Sequence, residues 1–421
     1  MPPSNQSFRT LGTVLAAAAL LGTAACASPP PDAPTSSAVP HGFVAGAAEM
    51  AEPQLHLATV TATGDVTLLD LLDGTESALG TLDGLTGVST DGRFVFAAAA
   101  AAGTVSIVDT GVWTVDHEDH QHYYRAEPAP VGTITGAGSG VVSGGGSLTT
   151  VRFAETGTGI ILDHADLGDG TLTELGRIQA EAGAGVLVPA GDRVIAGRTD
   201  APGTATNGAG AVQVLDRTGQ PVTGQAADCA ELSGTITTRV GVVFGCADGA
   251  LLATAGAHDG DVEFERIPYP EPVAAAHRAL SFDNRAGRPT VAAVAGDTGA
   301  WLLDTRERSW SRLSTDTPLL QVAAVDDSAG HVVALAADGR VIVLDATGTT
   351  LAATEPLLPG TLAAADPATR AGVELTVDAG RAYLNAPLEG VVYEIDYADG
   401  ARIARTFAIS GEPRFLAETG R

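Results

Sequence analysis

From about Leu55 onward, short apolar runs of Val, Leu, Ile, Thr and Ala alternate with Gly, Asp-Gly and Asn turns, and helical periodicity is nearly missing. Runs this short, rich in β-branched residues and bounded by turn formers, predict many short antiparallel strands. One run repeats. It is apolar and ends in an acid, first as Val66-Thr67-Leu68-Leu69-Asp70, then as Val105-Ser106-Ile107-Val108-Asp109, Gly159-Ile160-Ile161-Leu162-Asp163 and Val212-Gln213-Val214-Leu215-Asp216. It returns as Ala300-Trp301-Leu302-Leu303-Asp304, Val341-Ile342-Val343-Leu344-Asp345 and Val392-Tyr393-Glu394-Ile395-Asp396. The double-length gap between Asp216 and Asp304 holds a degenerate copy at Leu251-Leu252-Ala253-Thr254. In most units a partner strand precedes it after a tight turn, as in Asp91-Gly92-Arg93-Phe94-Val95-Phe96 and Gly191-Asp192-Arg193-Val194-Ile195.

Units of roughly 40 to 50 residues with about four strands each mark a β-propeller. The expected fold is therefore all-β, a propeller over residues 51–421 with eight blades, seven being the alternative if one weak unit is an insertion. A β-sandwich or a solenoid is the structural rival. The first unit lacks an opening strand, and Glu412-Pro413-Arg414-Phe415-Leu416 resembles one. Last and first segments would then complete one blade together and remove an exposed sheet edge.

Ahead of the repeats, residues 1–26 read as an export signal. Arg9 is followed by an apolar stretch from Leu11 to Leu21 that is too short for a comfortable membrane span. Thr23-Ala24-Ala25 then lead into Cys26, a lipobox-like end that would lipidate the cysteine and anchor the protein in the cell membrane; cleavage without lipidation is the alternative. Residues 27–50, rich in Pro, Ser and Ala at first, are expected to be a flexible tether. Cys229 and Cys246 remain, and an even remainder in an oxidising compartment reads as a disulfide. A two-cysteine metal site is the other reading, without a Cys-x-x-Cys spacing to support it.

Charge narrows the partners. Lysine is absent, and 23 basic residues face 50 acidic ones for a formal charge of −27. That excludes nucleic acid as an expected partner, because its recognition needs local positive charge.

Three of the nine histidines fall within six residues: His117, His120 and His122, with Asp116, Glu118 and Asp119 among them. Neutral imidazole suits Zn²⁺, and a carboxylate such as Asp119 can complete a tetrahedral shell. In an extended loop His120 and His122 point the same way, whereas His117 joins them only if the loop turns helically. A ligand from elsewhere is therefore expected. His164 follows the same repeated strand one unit later, directly after Asp163, so register brings it toward the loop; His258 is three units away and weighs less. A solvated loop that binds metal adventitiously is the plain alternative.

An export segment, a propeller of Val-x-Val-x-Asp units and the Asp-His-x-Asp-His-x-His loop from Asp116 to His122 resemble the AztD-type zinc metallochaperones, which accompany bacterial zinc ABC transporters. The resemblance implies zinc capture outside the cytoplasmic membrane and direct delivery to the transporter's zinc solute-binding protein. It carries the metal-binding role onto His117, His120 and His122, and with a weaker match onto His164. It also decides for zinc, since copper and nickel accept three imidazoles equally well. A monomeric binding protein is expected rather than an enzyme: there is no Gly-x-Ser-x-Gly or other catalytic constellation. The rivals are a secreted propeller enzyme, in which Glu118 would act as base beside a catalytic metal, and an interaction scaffold without metal.

Overall fold

Burial explains why some strands announce themselves in the sequence and others do not. Phe94–Ala99 is buried along its whole length, so its side chains face protein on both sides and the run is uniformly apolar. Glu76–Thr81, at the outer edge of its sheet, is almost wholly exposed and polar. A computed structural model describes residues 42–421 apart from 118–119, 181, 184, 199–209 and 259. The export segment, Cys26 and the tether up to residue 41 lie outside the described residues, as does Asp119.

The repeat resolves into antiparallel sheets in a ring, a β-propeller. Among the described residues, seven copies of the apolar-acid strand, the degenerate one included, occupy the third position of a four-stranded sheet, and the eighth, Gly299–Asp304, is the middle strand of a three-stranded one. One example runs Gly87–Thr90, Phe94–Ala99, Thr104–Asp109 and Ala129–Thr135 from the inside out. The sheet with Thr290–Val294, Gly299–Asp304 and Ser309–Ser314 has three strands; its inner position is filled by bridges from Asp283 to Ala292 and from Asn284 to Ala324 in the next sheet. The ring closes as the sequence predicts. Pro413–Thr419 pairs antiparallel with His56–Thr61, setting Phe415 opposite Val60.

Apolar clusters between neighbouring sheets hold the ring together. Phe94 and Ile107 of one sheet pack with Val151, Phe153 and Ile160 of the next. Phe153 fits because Gly136 has no side chain: a Cβ there would meet the ring at 2.3 Å. Cys229 and Cys246 form a disulfide with Cα atoms 5.1 Å apart. It ties the end of one outer strand, Pro221–Asp228, to the second strand of the following sheet, Val242–Cys246. Among the described residues, no helix is long and apolar enough to cross a membrane.

The innermost strands surround a central cavity of about 680 Å³, lined by Asp283, Glu374 and Glu418 among others. Burial pushes the Glu418 carboxyl up to about 7, with the Arg421 guanidinium opposing the shift. Asp283 is pushed to about 7, and Glu374, which Asp283 also repels, to about 8. Those two open onto the cavity, so solvent weakens their effect on stability, whereas Glu418 is only 1% exposed. An acid whose folded pKa is raised favours folding most below its unfolded value and loses that contribution as pH rises through the folded value. Stability should therefore fall between roughly pH 5 and 8.5, with ~2 kcal/mol from Glu418 alone. Denaturant melts at both pH values check it: Glu418→Gln should remove that share of the slope, and an unchanged slope would refute the assignment.

Candidate metal centre

The histidines sit on a two-stranded hairpin inserted into a sheet of the ring. After the third strand of that sheet ends at Asp109, the chain leaves through Thr110-Gly111. It forms a hairpin, Val112–Asp116 and Gln121–Arg125, and returns as the outer strand Ala129–Thr135. A further strand, Ala48–Met50, pairs with the hairpin's free edge, and the three are named β1 (Ala48–Met50), β2 (Val112–Asp116) and β3 (Gln121–Arg125) in chain order. β1 corrects the expected tether, which extended to residue 50: its last three residues are a paired strand. Pairing gives the backbone of Glu49 a fixed place opposite Tyr124.

The hairpin is fastened at its base. Trp113 stacks on Tyr124 with ring centres 5.1 Å apart, and the Arg93 guanidinium lies 3.9 Å from the Trp113 ring centre. Arg93 is itself fixed by Asp109 at 2.6 Å. Arg125 of β3 pairs with Asp70 of the ring-closing sheet at 3.0 Å, and the Thr114 hydroxyl donates to the Gly420 carbonyl. The tip is thus held on a rigid stem.

At the tip, the His117 amide donates to the His120 carbonyl and folds the connection back. That turn supplies the curvature that His117 needs to join the other two. All three rings gather: centres are 5.2 Å apart for His117 and His120, 5.2 Å for His117 and His122, and 4.8 Å for His120 and His122. The Nε2 atoms of His120 and His122 stand 3.0 Å apart. His122 is buried, and its Nδ1 lies 2.6 Å from Glu49 Oε1 on β1. A carboxylate there accepts the Nδ1 hydrogen, fixes the tautomer and turns the Nε2 lone pair toward His120.

This arrangement fits a tetrahedral ion in part. Two nitrogens bound at about 2.05 Å in tetrahedral geometry are about 3.3 Å apart, close to the separation of the two Nε2 atoms. Among the described residues, however, no three His, Cys, Asp or Glu donors already meet as a ligand set. A third ligand must come from a small rotation of the exposed His117 or from the turn itself, where Asp119 lies outside the described residues.

His164 is held by contacts of its own. It opens a single-turn helix, α1 (His164–Gly168), capped by the Asp163 carboxylate. Its ring is held by the Thr149 hydroxyl at 2.9 Å, by Asp91 at 3.7 Å and edge-on by Phe94. None of its described contacts reaches the histidine loop. Register does put the two on neighbouring connections, and Arg93 bridges them by donating to Gly168 while stacking on Trp113. The histidine loop lies at the tip of the hairpin, and His164 opens α1 at its own connection. His258, weighted low, is exposed and pairs with Asp261.

Sequence reasoning misses Glu49. It lies 73 residues from His122 in a stretch that reads as tether, and only the pairing of β1 with β3 reveals it.

The structure is similar to that of AztD from Citrobacter koseri, with a TM-score of 0.72 and 20% identity over 87% of this chain and 98% of that one. The apo form of the same protein matches with a TM-score of 0.71, also at 20% identity, over 87% and 97%. A more distant likeness joins the chain to Sqt1 of Saccharomyces cerevisiae, with a TM-score of 0.51 and 12% identity over 86% and 90%. At these identities the matches establish the propeller fold. No protein-family model matches the sequence, and no curated protein does.

Proposed function

We propose that the protein captures a zinc ion at the histidine hairpin outside the cytoplasmic membrane and delivers it to the zinc solute-binding protein of an ABC transporter. The observation that carries this reading is the gathered imidazole trio with the Glu49–His122 bond behind it. The likeness to AztD in fold, and the resemblance of the loop from Asp116 to His122 to the zinc metallochaperone pattern, support zinc over other metals. The protein then acts by binding, as a monomer, with lipidated Cys26 keeping it near a membrane transporter.

The geometry suggests how an ion is taken and passed on. Without metal, the two facing Nε2 atoms need one hydrogen between them, so His120 donates to His122, whose own Nδ1 hydrogen is engaged by Glu49. Zinc takes the place of that hydrogen, and His120 moves its proton to Nδ1. His117 and His120 are exposed at the end of the hairpin, so a partner's ligands can replace them one at a time. His122, buried and backed by Glu49, would let go last.

Transfer is the test. Zinc-loaded protein is mixed with the apo form of a zinc ABC transporter's solute-binding protein, in the presence of a chelator that competes for free zinc. Zinc should reach the binding protein faster than it reaches the chelator. Equal partition between the two would show release to solvent and reject delivery.

A further inference from the structure

The face of the hairpin that carries His122 also carries a column of rings. Trp113 of β2 and Glu49 of β1 both stand opposite Tyr124 of β3, and Val115 stands opposite His122. Directly opposed residues project from the same face of a sheet, and so do residues two apart on one strand. Trp113, Tyr124, Glu49 and His122 therefore share a face, and their rings meet there. The Tyr124 ring lies 21° from the plane of Trp113 and 22° from the plane of His122, whose ring centre is 6.1 Å away. Arg93 closes the far end of the column over Trp113, and is itself held by Asp109 and by the Gly168 carbonyl. Tyr124 is buried between its two neighbours.

We infer that Tyr124 is a positioning residue of the zinc site: its ring sets the plane of the His122 imidazole, so that Nε2 stays aimed at His120 and the ion. The inference rests on the zinc reading and adds a residue to it. Glu49 alone leaves that plane loose. Its bond fixes one atom of the ring, Nδ1, about which the imidazole can still rock, and the Glu49 side chain is itself half exposed. A near-parallel ring against the flat side of the imidazole resists the rocking, because a tilt opens a gap and loses close contacts. Ligands of a metal site must stay within roughly 10–20° of the productive geometry, and side chains locked by packing achieve this. The described ring contacts of His117 and His120 are with the other histidines of the tip. The column therefore reaches the ion through His122, the ligand that is already buried and backed by a carboxylate.

A double-mutant cycle tests it, with zinc affinity measured on the whole protein by competition with a chromophoric chelator. Tyr124→Leu fills the buried space without a flat ring and should weaken zinc about tenfold, the low end for loss of a group behind a ligand. Tyr124→Phe keeps the ring and should bind zinc as the wild type does. In a His122→Ala background the leucine change should have no further effect, because no imidazole remains for the ring to position. A merely structural role would loosen the whole tip instead, and would lower the residual affinity left by His117 and His120 by the same factor. Tyr124→Met takes the place of the leucine variant if that one fails to fold. Three outcomes overturn the inference alone: wild-type affinity in Tyr124→Leu, an equal loss in Tyr124→Phe, or an equal loss in both backgrounds. Wild-type protein that takes up no zinc would overturn the proposed function along with it, so the two failures are told apart.

Discussion

Replacing His120 and His122 together by alanine is expected to lower zinc affinity on the order of 10⁴-fold. The size follows from the ligand count. A four-ligand zinc site in a small protein is worth about 10 to 16 kcal/mol, or roughly 3 kcal/mol per ligand, and two ligands are removed. Competition against a chromophoric zinc chelator would measure it. The fold should be unaffected, because the rings sit beyond the Trp113–Tyr124 stack and the Arg125–Asp70 pair that fasten the hairpin. His117→Ala alone should cost about a hundredfold if it supplies the third nitrogen, by the same reckoning. A double variant that still holds zinc as the wild type does would end the proposal for this loop.

Glu49 gives the second large effect, for a different reason. Its carboxylate does not have to touch the ion; it orients His122 and strengthens the imidazole as a donor. Losing such a partner typically costs 10- to 100-fold in metal affinity. Glu49→Gln keeps an oxygen that can accept the Nδ1 hydrogen but removes the charge, so it should fall at the low end. Glu49→Ala removes both and should fall at the high end. A purely structural role for β1 would move the two variants together and shift the melting temperature. The positioning role predicts graded affinities, faster zinc release and unchanged melting, because the backbone pairs of β1 with β3 remain. Identical zinc binding in Glu49→Ala and the wild type would exclude it.

The propeller was legible because of its second and third strands. Phe94–Ala99 and Thr104–Asp109 lie between neighbouring sheets and read as apolar runs, while outer strands such as Glu76–Thr81 face water and leave no signature. Ring closure was legible for the same reason: Phe415 and Leu416 are apolar where an opening strand was missing. The site was legible only in its nearest residues. Adjacent histidines are visible in a line of sequence, but Glu49 acts through a strand pairing that no local pattern encodes. That His164 is held by Thr149, Asp91 and Phe94 has a physical cause as well. Register locates the start of a connection, and the nineteen-residue excursion from Thr110 to Pro128 folds into a hairpin of its own before the chain returns.

The pairing of Pro413–Thr419 with His56–Thr61 also sets an order of events. These partners lie at opposite ends of the folded sequence, so the loop they close is among the longest the chain can form, and such contacts are late in folding. The hairpin is tied into the same junction, through Thr114 to Gly420 and Arg125 to Asp70. A chain without its last strand lacks the Gly420 anchor and keeps only the Arg125–Asp70 pair. Completion of the ring thus adds the last of the hairpin's anchors, so the placement of the histidine tip is finished only when the final strand docks.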